Sequence, residues 1–401
     1  MQIRRKSEFE FTIVMASLMS LAALAIDALL PALNQIGDTI GVIDSKNNQL
    51  LITMIFLGLG FGQLVSGPLS DSIGRKPVIY FGYIIFVLSS FLCIFATSLE
   101  MMIVGRVLQG IGLSAPRTIS MAIVRDRFSG DRMAKVMSFV TAIFILVPVV
   151  APAFGQLMLD LFGWEAIFYS QIIFGLFVIL WLWRRQPETL KEENRRPMKF
   201  SMFIEGIKEF MKHKYSIVFT LIAGLVMSAF MVYLSSSQQI FQEQYGLVVE
   251  FPYIFAGIAL GVGLATFLNG TFVMKFGMLK LATIFMIAIT ILSAAFVFIY
   301  YGKSNPSITV MIIFTAVLLF FLGFIFGNVN ALAMQPVGHI AGIGSAIFGF
   351  VSTVMAVPIA TFIGSFISVS VLPLFAGFAI CGSLCLILLL YLKISDRKAV
   401  I

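Results

Sequence analysis

"FTIVMASLMSLAALAIDALLP", residues 11–31, is an apolar run with a single ionisable side chain, Asp27. As a helix rising about 1.5 Å per residue, a run of this length matches the roughly 30 Å hydrocarbon core of a bilayer. A carboxylate inside such a helix costs about 2.5–3.5 kcal/mol on insertion scales, and more where it cannot reach water. Asp27 therefore needs a reason to be there, provided the run really crosses a membrane. Composition decides that point. The 401 residues are 60% hydrophobic and 11% charged, with a mean hydropathy of +1.02. Soluble domains are nearer a quarter charged, and no soluble globule of this length could hide so much apolar surface. The chain reads as an all-α polytopic membrane protein.

Further apolar runs of span length fall near 49–69, 78–97, 101–123, 136–159 and 164–183. After a polar interruption they resume near 216–236, 252–273, 281–301, 308–333, 343–369 and 372–392. With the first run at 11–33 this makes twelve spans in two groups of six. Helices are expected, because open sheet edges are excluded from hydrocarbon and the runs lack alternating polarity. The interruption at 184–214 carries nine Lys or Arg and five Glu, with Pro187 and Pro197 as breakers. It divides the chain into an N-terminal six-helix bundle at 1–183, a cytoplasmic linker at 184–214 and a C-terminal six-helix bundle at 215–401.

The net charge of +8 does not point to nucleic acid, because the basic residues cluster in short loops between apolar runs, as orientation signals do. With the N-terminus inside and alternating spans, only Lys46 and Lys303 of the 27 basic residues fall in outer loops. Arg106 and Arg117 lie within span four, and the rest face inward. Both termini are thus expected in the cytoplasm. The RRK at the N-terminus followed by an apolar run imitates a signal peptide, but the run is long and more spans follow, so it reads as an uncleaved first helix. Asn269-Gly-Thr matches a glycosylation acceptor, but it falls at the inner end of span eight and is discounted.

An internal repeat supports two related halves. "GPLSDSIGRKP" (67–77) follows span two and "GTFVMKFGMLK" (270–280) follows span eight. Gly67 and Gly74 align with Gly270 and Gly277 at one constant offset, whereas Met274 stands where the first copy has Asp71. Duplicated halves are a recurrent transporter architecture.

Enzyme signals are absent. There is no HExxH and no GxSxG, and Gly302-Lys303-Ser304 lacks the leading glycine of a phosphate loop, having Val297 instead. His213 and His339 are the only histidines and sit near membrane ends without a partner motif. Cys93, Cys381 and Cys385 all lie in apolar runs and read as packing residues, so neither a metal nor a cofactor is expected.

Asp27 lies about six residues, roughly 9 Å, from the outer end of the first run, and Arg106 about five residues into span four. At similar depth on neighbouring spans, the two charges are potential partners, either at a proton site or in a static ion pair. The 67–77 loop puts Asp71 beside Arg75 and Lys76, where an acid can pair across helices or sit at a helix N-terminus; a turn that merely sets topology is the alternative. Pro148 and Pro152 in "PVVAPAFG" (148–155) bend span five, and Ala151, Ala153 and Gly155 allow close helix approach. The GxxxG pairs Gly58/Gly62, Gly257/Gly261 and Gly323/Gly327 offer the same closeness. By the repeat, spans seven and ten correspond to spans one and four. Tyr233, Gln238 and Gln239 on the former and Asn328 and Asn330 on the latter therefore either line a cavity or bond helix to helix.

These stretches resemble the major facilitator superfamily, specifically its twelve-span Bcr/CflA-type drug:proton antiporters. Gly67, Asp71, Gly74, Arg75 and Lys76 match the signature loop after span two, and "RVLQGIG" (106–112) the span-four motif. "APAFG" is similar to the span-five antiporter motif, with Ala151 where glycine is usual, and "IDALLP" to the subgroup's Asp-x-x-x-Pro. "PETL" (187–190) and "AGIGSAIFG" (341–349) also resemble the subgroup. The resemblance implies a twelve-helix fold in two pseudo-symmetric halves, with Asp27 as protonation and substrate site and Arg106 as its partner. It implies a cytoplasmic gate in which Arg75 pairs with Asp126 and Asp71 faces the start of span eleven. The expected function is proton-coupled export of small hydrophobic or amphiphilic compounds by alternating access, from a monomer in the bacterial inner membrane. Its partners would be substrate, protons and lipid. A dedicated metabolite exporter, a proton symporter or a non-transporting sensor are the alternatives.

Overall fold

The computed structural model describes residues 2–195 and 200–399, so Pro197 lies outside the described residues. Helices account for nearly all of the chain, and no strand occurs among the described residues. They form two compact units, Met1–Phe200 and Ser201–Ile401.

The first unit contains spans one to six. Span one is longer than its sequence suggests: the apolar segment is Glu8–Thr39, and it is broken. Its main helix, Gln2–Asp27, ends where Pro31 withholds the N–H that the Asp27 carbonyl would have bonded. A 3-10 turn at Leu30–Ala32 and a short helix at Leu33–Thr39 complete it. Asp27 thus sits at the break itself, with twelve residues of the segment after it. The segment runs past residue 33, where the sequence reading ended it, because the polar residues Asn34 and Gln35 hid the continuation. Spans two to six are Leu50–Ile73, Arg75–Ile94, Leu99–Arg127, Gly130–Phe162 and Glu165–Arg185. Ser98 caps span four, accepting the Met101 N–H at 3.3 Å.

The second unit opens with an amphipathic helix, Phe200–Lys212, inside the polar interruption. Spans seven to nine follow: Lys214–Gln238 with a wide π-type turn at Gln239–Gln244, then Phe251–Phe276 and Met278–Tyr300. Spans ten and eleven form one 57-residue apolar stretch, Ile308–Gly364. It is divided by a 3-10 kink at Gln335–Ile340, where Val337 leaves helical geometry (φ −108°, ψ 22°) next to Pro336. The two pieces, Ile308–Met334 and Ala341–Gly364, are each long enough to cross a membrane, and Leu372–Ala399 completes the twelve.

The duplication is visible in the packing. In the first unit span four packs on spans one, two and three, span one also on five and six, and span three on six. The second unit repeats all of these pairings with spans seven to twelve. The two loops share one device as well. Gly74 (φ +111°, ψ 157°) and Gly277 (φ +81°, ψ 152°) are each the single residue between two helices, a backbone conformation that a Cβ strains.

Small residues set the closeness of the helices unevenly. Gly58 and Gly110 press spans two and four together until each would drive a Cβ into the other helix's backbone. Gly323 is close-packed against Ala265, but nothing comes near Gly257 or Gly261, so the 257/261 pair joins no helices within its unit. Leu88, Ile173, Phe267 and Phe298 are exposed, the apolar surface that a protein solvated by lipid presents.

Candidate functional site

The break in span one organises the first unit. A helix end leaves its last four carbonyls without intrahelical donors, and in hydrocarbon each orphan costs several kcal/mol. Here the Ala25 carbonyl draws its side-chain donors from a neighbouring span. The fully buried Arg106 of span four donates from Nη1 and Nη2 to the Ala25 carbonyl, both at 3.1 Å. Its Nε donates to the Leu51 carbonyl at 2.6 Å, and Nη1 also to Gln109 Oε1 at 2.9 Å. Gln109 in turn donates to Ser90 Oγ at 2.8 Å. The Ala28 N–H closes on the Leu24 carbonyl at 3.1 Å, and Gln171 Nε2 of span six approaches the same oxygen at 3.5 Å. A cation at a helix C-terminus also complements the helix dipole.

Asp27 is 5% exposed and sits at this break. Among the described residues it enters no ion pair. The expected pairing with Arg106 is therefore corrected: the guanidinium binds a carbonyl two residues away from Asp27, and every hydrogen-bond partner it has is a neutral oxygen. Helix spacing placed the two residues at one depth, but the fork is aimed by the helix end that needs capping. Span five closes the same place from another side. The Ala28 carbonyl occupies the space a Gly155 Cβ would need, with Ala151 and Pro152 buried and Pro148 half-buried along the same helix.

A second cluster forms around the Gly74 joint. Arg75 Nε donates to Asp126 Oδ2 at 2.9 Å, Nη2 to Asp126 Oδ1 at 3.3 Å and Nη1 to Ser70 Oγ at 2.8 Å, and Arg75 also pairs with Asp71. The expected Arg75–Asp126 pair is thus formed. Lys76 Nζ donates to the Gln186 carbonyl at 2.6 Å. Gly67 stands apart, continuing span two with open space beside it.

Sequence reasoning missed the residue that ties the cluster together. The Glu188 carboxylate accepts the N–H of Arg75 at 3.1 Å and of Lys76 at 3.0 Å, capping the N-terminus of span three. It also accepts the N–H groups of Thr189 and Leu190 at 2.9 and 3.0 Å. Thr189 Oγ1 donates to Asp126 Oδ2 at 3.0 Å, and Arg127 Nη1 donates to Gln186 Oε1 at 2.9 Å. "PETL", known only as a point of resemblance, is the strap that holds the end of span six to the start of span three. The usable signal was an acid and a hydroxyl immediately after a helix-ending proline.

In the second unit Tyr233 and Gln239 are buried on span seven. Tyr233 stacks on Phe255 of span eight, with ring centroids 6.0 Å apart, and Gln239 opens the π-type turn, a local widening often found at functional positions. Asn330 is exposed on span ten. Asn328, two residues earlier, is a helix-to-helix clasp instead: its Nδ2 donates to Asn269 Oδ1 at 2.8 Å.

Residues 15–360 match the sequence profile of the Major Facilitator Superfamily. The chain belongs to that superfamily. This transporter is 32% identical over 283 residues to a bicyclomycin resistance protein homolog of Haemophilus influenzae, covering 70% of this chain and 71% of the relative. It is 26% identical over 393 residues to the multidrug resistance protein MdtL of Citrobacter koseri, covering 96% of each. Its fold is similar to the crystal structure of a D-xylose-proton symporter, with a TM-score of 0.72 at 13% identity over 95% of this chain and 97% of the other. The superfamily consists of carriers rather than enzymes, and this transporter is a multi-pass membrane protein whose kinship lies with the Bcr/CflA type.

Proposed function

We propose that this transporter exports small hydrophobic or amphiphilic compounds in exchange for protons, with Asp27 alternately holding a proton and a substrate. The observation that carries the reading is a carboxyl buried at a helix break with no ion-pair partner among the described residues, while the fully buried Arg106 is committed to neutral oxygens. A carboxyl that no cation holds ionised is free to exchange its proton with whatever ligand competes for it. The resistance functions named for the Haemophilus and Citrobacter relatives support export as the direction.

In this reading the chain acts as a monomer in the bacterial inner membrane with both termini cytoplasmic, which accords with the distribution of Lys and Arg. Proton and substrate bind with opposing free energies, so each weakens the other's binding by the same factor. The Asp71–Arg75–Asp126–Glu188 cluster serves as the cytoplasmic latch, with Gly74 and Lys76 shaping its joint. Tyr233, Gln239 and Asn330 are further candidates for substrate contact.

The test is proton release from purified, detergent-solubilised protein when a panel of lipophilic compounds is added, wild type beside Asp27→Asn. Release from the wild type alone identifies Asp27 as the site of competition. Equal release from both moves the proton elsewhere and overturns the assignment.

A further inference from the structure

The chain's only two histidines are separated by 126 positions, yet both imidazoles face one carboxylate oxygen. His213 Nε2 lies 3.4 Å from Glu209 Oε1, and His339 Nε2 lies 3.3 Å from the same atom. The ligand atoms of all three residues fall within 4.8 Å of one another. The sequence shows no partner motif for either histidine; the fold brings both to Glu209. We propose that Glu209, His213 and His339 form a binding site for a divalent transition-metal ion of the zinc class.

Both contacts lie at the long end of the hydrogen-bond range and also suit a shared cation. Charge-assisted N–H···O bonds are typically about 2.7–2.9 Å long, shorter than either contact here. Zinc bound to imidazole nitrogen and carboxylate oxygen at about 2.0–2.2 Å in a tetrahedron sets its ligands about 3.4 Å apart, which both contacts match. Two imidazoles and one carboxylate suit zinc and its neighbours, not magnesium or calcium, which take oxygen. Lys212 Nζ holds the other carboxylate oxygen, Oε2, at 2.8 Å, which turns Oε1 toward the histidines. Three protein ligands leave the fourth position to water, and the half-exposed His339 leaves the site open to exchange.

The supporting frame is packed. Phe210, adjacent to Glu209, shares a small core with Val337 and Ile347, and Ile343 fills the space beside Gly206. The ligands come from three different elements: the amphipathic helix, the one residue joining it to span seven, and the kink between spans ten and eleven. A bound ion ties all three together. Metal occupancy thereby restrains the two places in this unit where helices change direction around residue 213 and around residue 337.

The experiment uses untagged full-length protein in detergent, stripped with a chelator and titrated with Zn2+ in competition with a chromophoric chelator. One Zn2+ per chain is expected. His339→Ala and His213→Ala should each weaken binding by more than about 100-fold, since loss of an outer partner alone costs about 10–100-fold. Cys381→Ala/Cys385→Ala, which removes the two buried thiols of this unit, should leave affinity unchanged. In the wild type, Zn2+ should also slow backbone hydrogen exchange at 203–217 and 335–343, with no such change in the histidine variants. Absence of stoichiometric binding to the wild type, or wild-type affinity in both histidine variants, overturns the site. Neither readout depends on transport, so failure here is distinguishable from failure of the export reading.

Discussion

Arg106 and Ala25 are joined by a two-pronged hydrogen bond, Nη1 and Nη2 both donating to one backbone carbonyl at 3.1 Å. A fully buried arginine is thereby the cap of a helix that stops inside the apolar segment, and the acid two residues further on is left without a cation. The first consequence concerns stability. Arg106→Lys keeps the charge but lacks the planar fork, and should lower stability by about 2–4 kcal/mol, read as a drop in Tm in detergent. Asp27→Asn should leave Tm unchanged or raise it. Combined, the two substitutions should be additive to within about 0.5 kcal/mol; a coupling above about 1 kcal/mol would restore the ion pair that the geometry denies.

Gly155 and Gly261 provide a matched pair of glycine tests. The first abuts the Ala28 carbonyl and the second faces open space. Gly155→Ala should force spans one and five apart, costing about 1–3 kcal/mol and most of the transport rate. Gly261→Ala should be neutral or stabilising by up to about 1 kcal/mol through helix propensity. Thermal unfolding beside transport in proteoliposomes checks both, and equal effects at the two positions would contradict the packing.

Gly74 and Gly277 share one backbone conformation at the two equivalent joints. Alanine at either position should cost about 1–3 kcal/mol from the backbone alone. At Gly74 the cost should be greater, because a Cβ would come within 2.9 Å of Glu188 Oε2. Paired unfolding measurements should rank Gly74→Ala below Gly277→Ala in stability.

Glu188→Ala removes the cap on span three and the acceptor of four backbone N–H groups. A loss of about 1–2 kcal/mol is expected, together with faster hydrogen exchange at residues 75, 76, 189 and 190. Unchanged exchange at those amides would show that the strap is held by other contacts.

Much of the fold is legible in the sequence because it depends on local, additive quantities. Transfer free energy summed along a run identifies a span wherever the run is long enough. The glycine joints at 74 and 277 are readable too, since only a residue without a Cβ takes that backbone conformation easily. Local reading fails where apolar and polar residues mix. It cut span one short before Asn34, whereas it separated spans ten and eleven correctly at the kink around Val337.

What hydropathy cannot carry is rotation. Two residues at one depth face each other only if their helices are turned to allow it, and that turn is set by many small contacts such as Gly58 against Gly110. Hence Asp27, Arg106 and the Arg75–Asp126 pair were all noticed in the sequence, yet only the tertiary structure decided that Arg106 serves Ala25 rather than Asp27. The same holds for Glu188 at the head of span three and for His213 beside His339. Each joins residues more than a hundred positions apart, where no local periodicity links them and packing alone determines the distance.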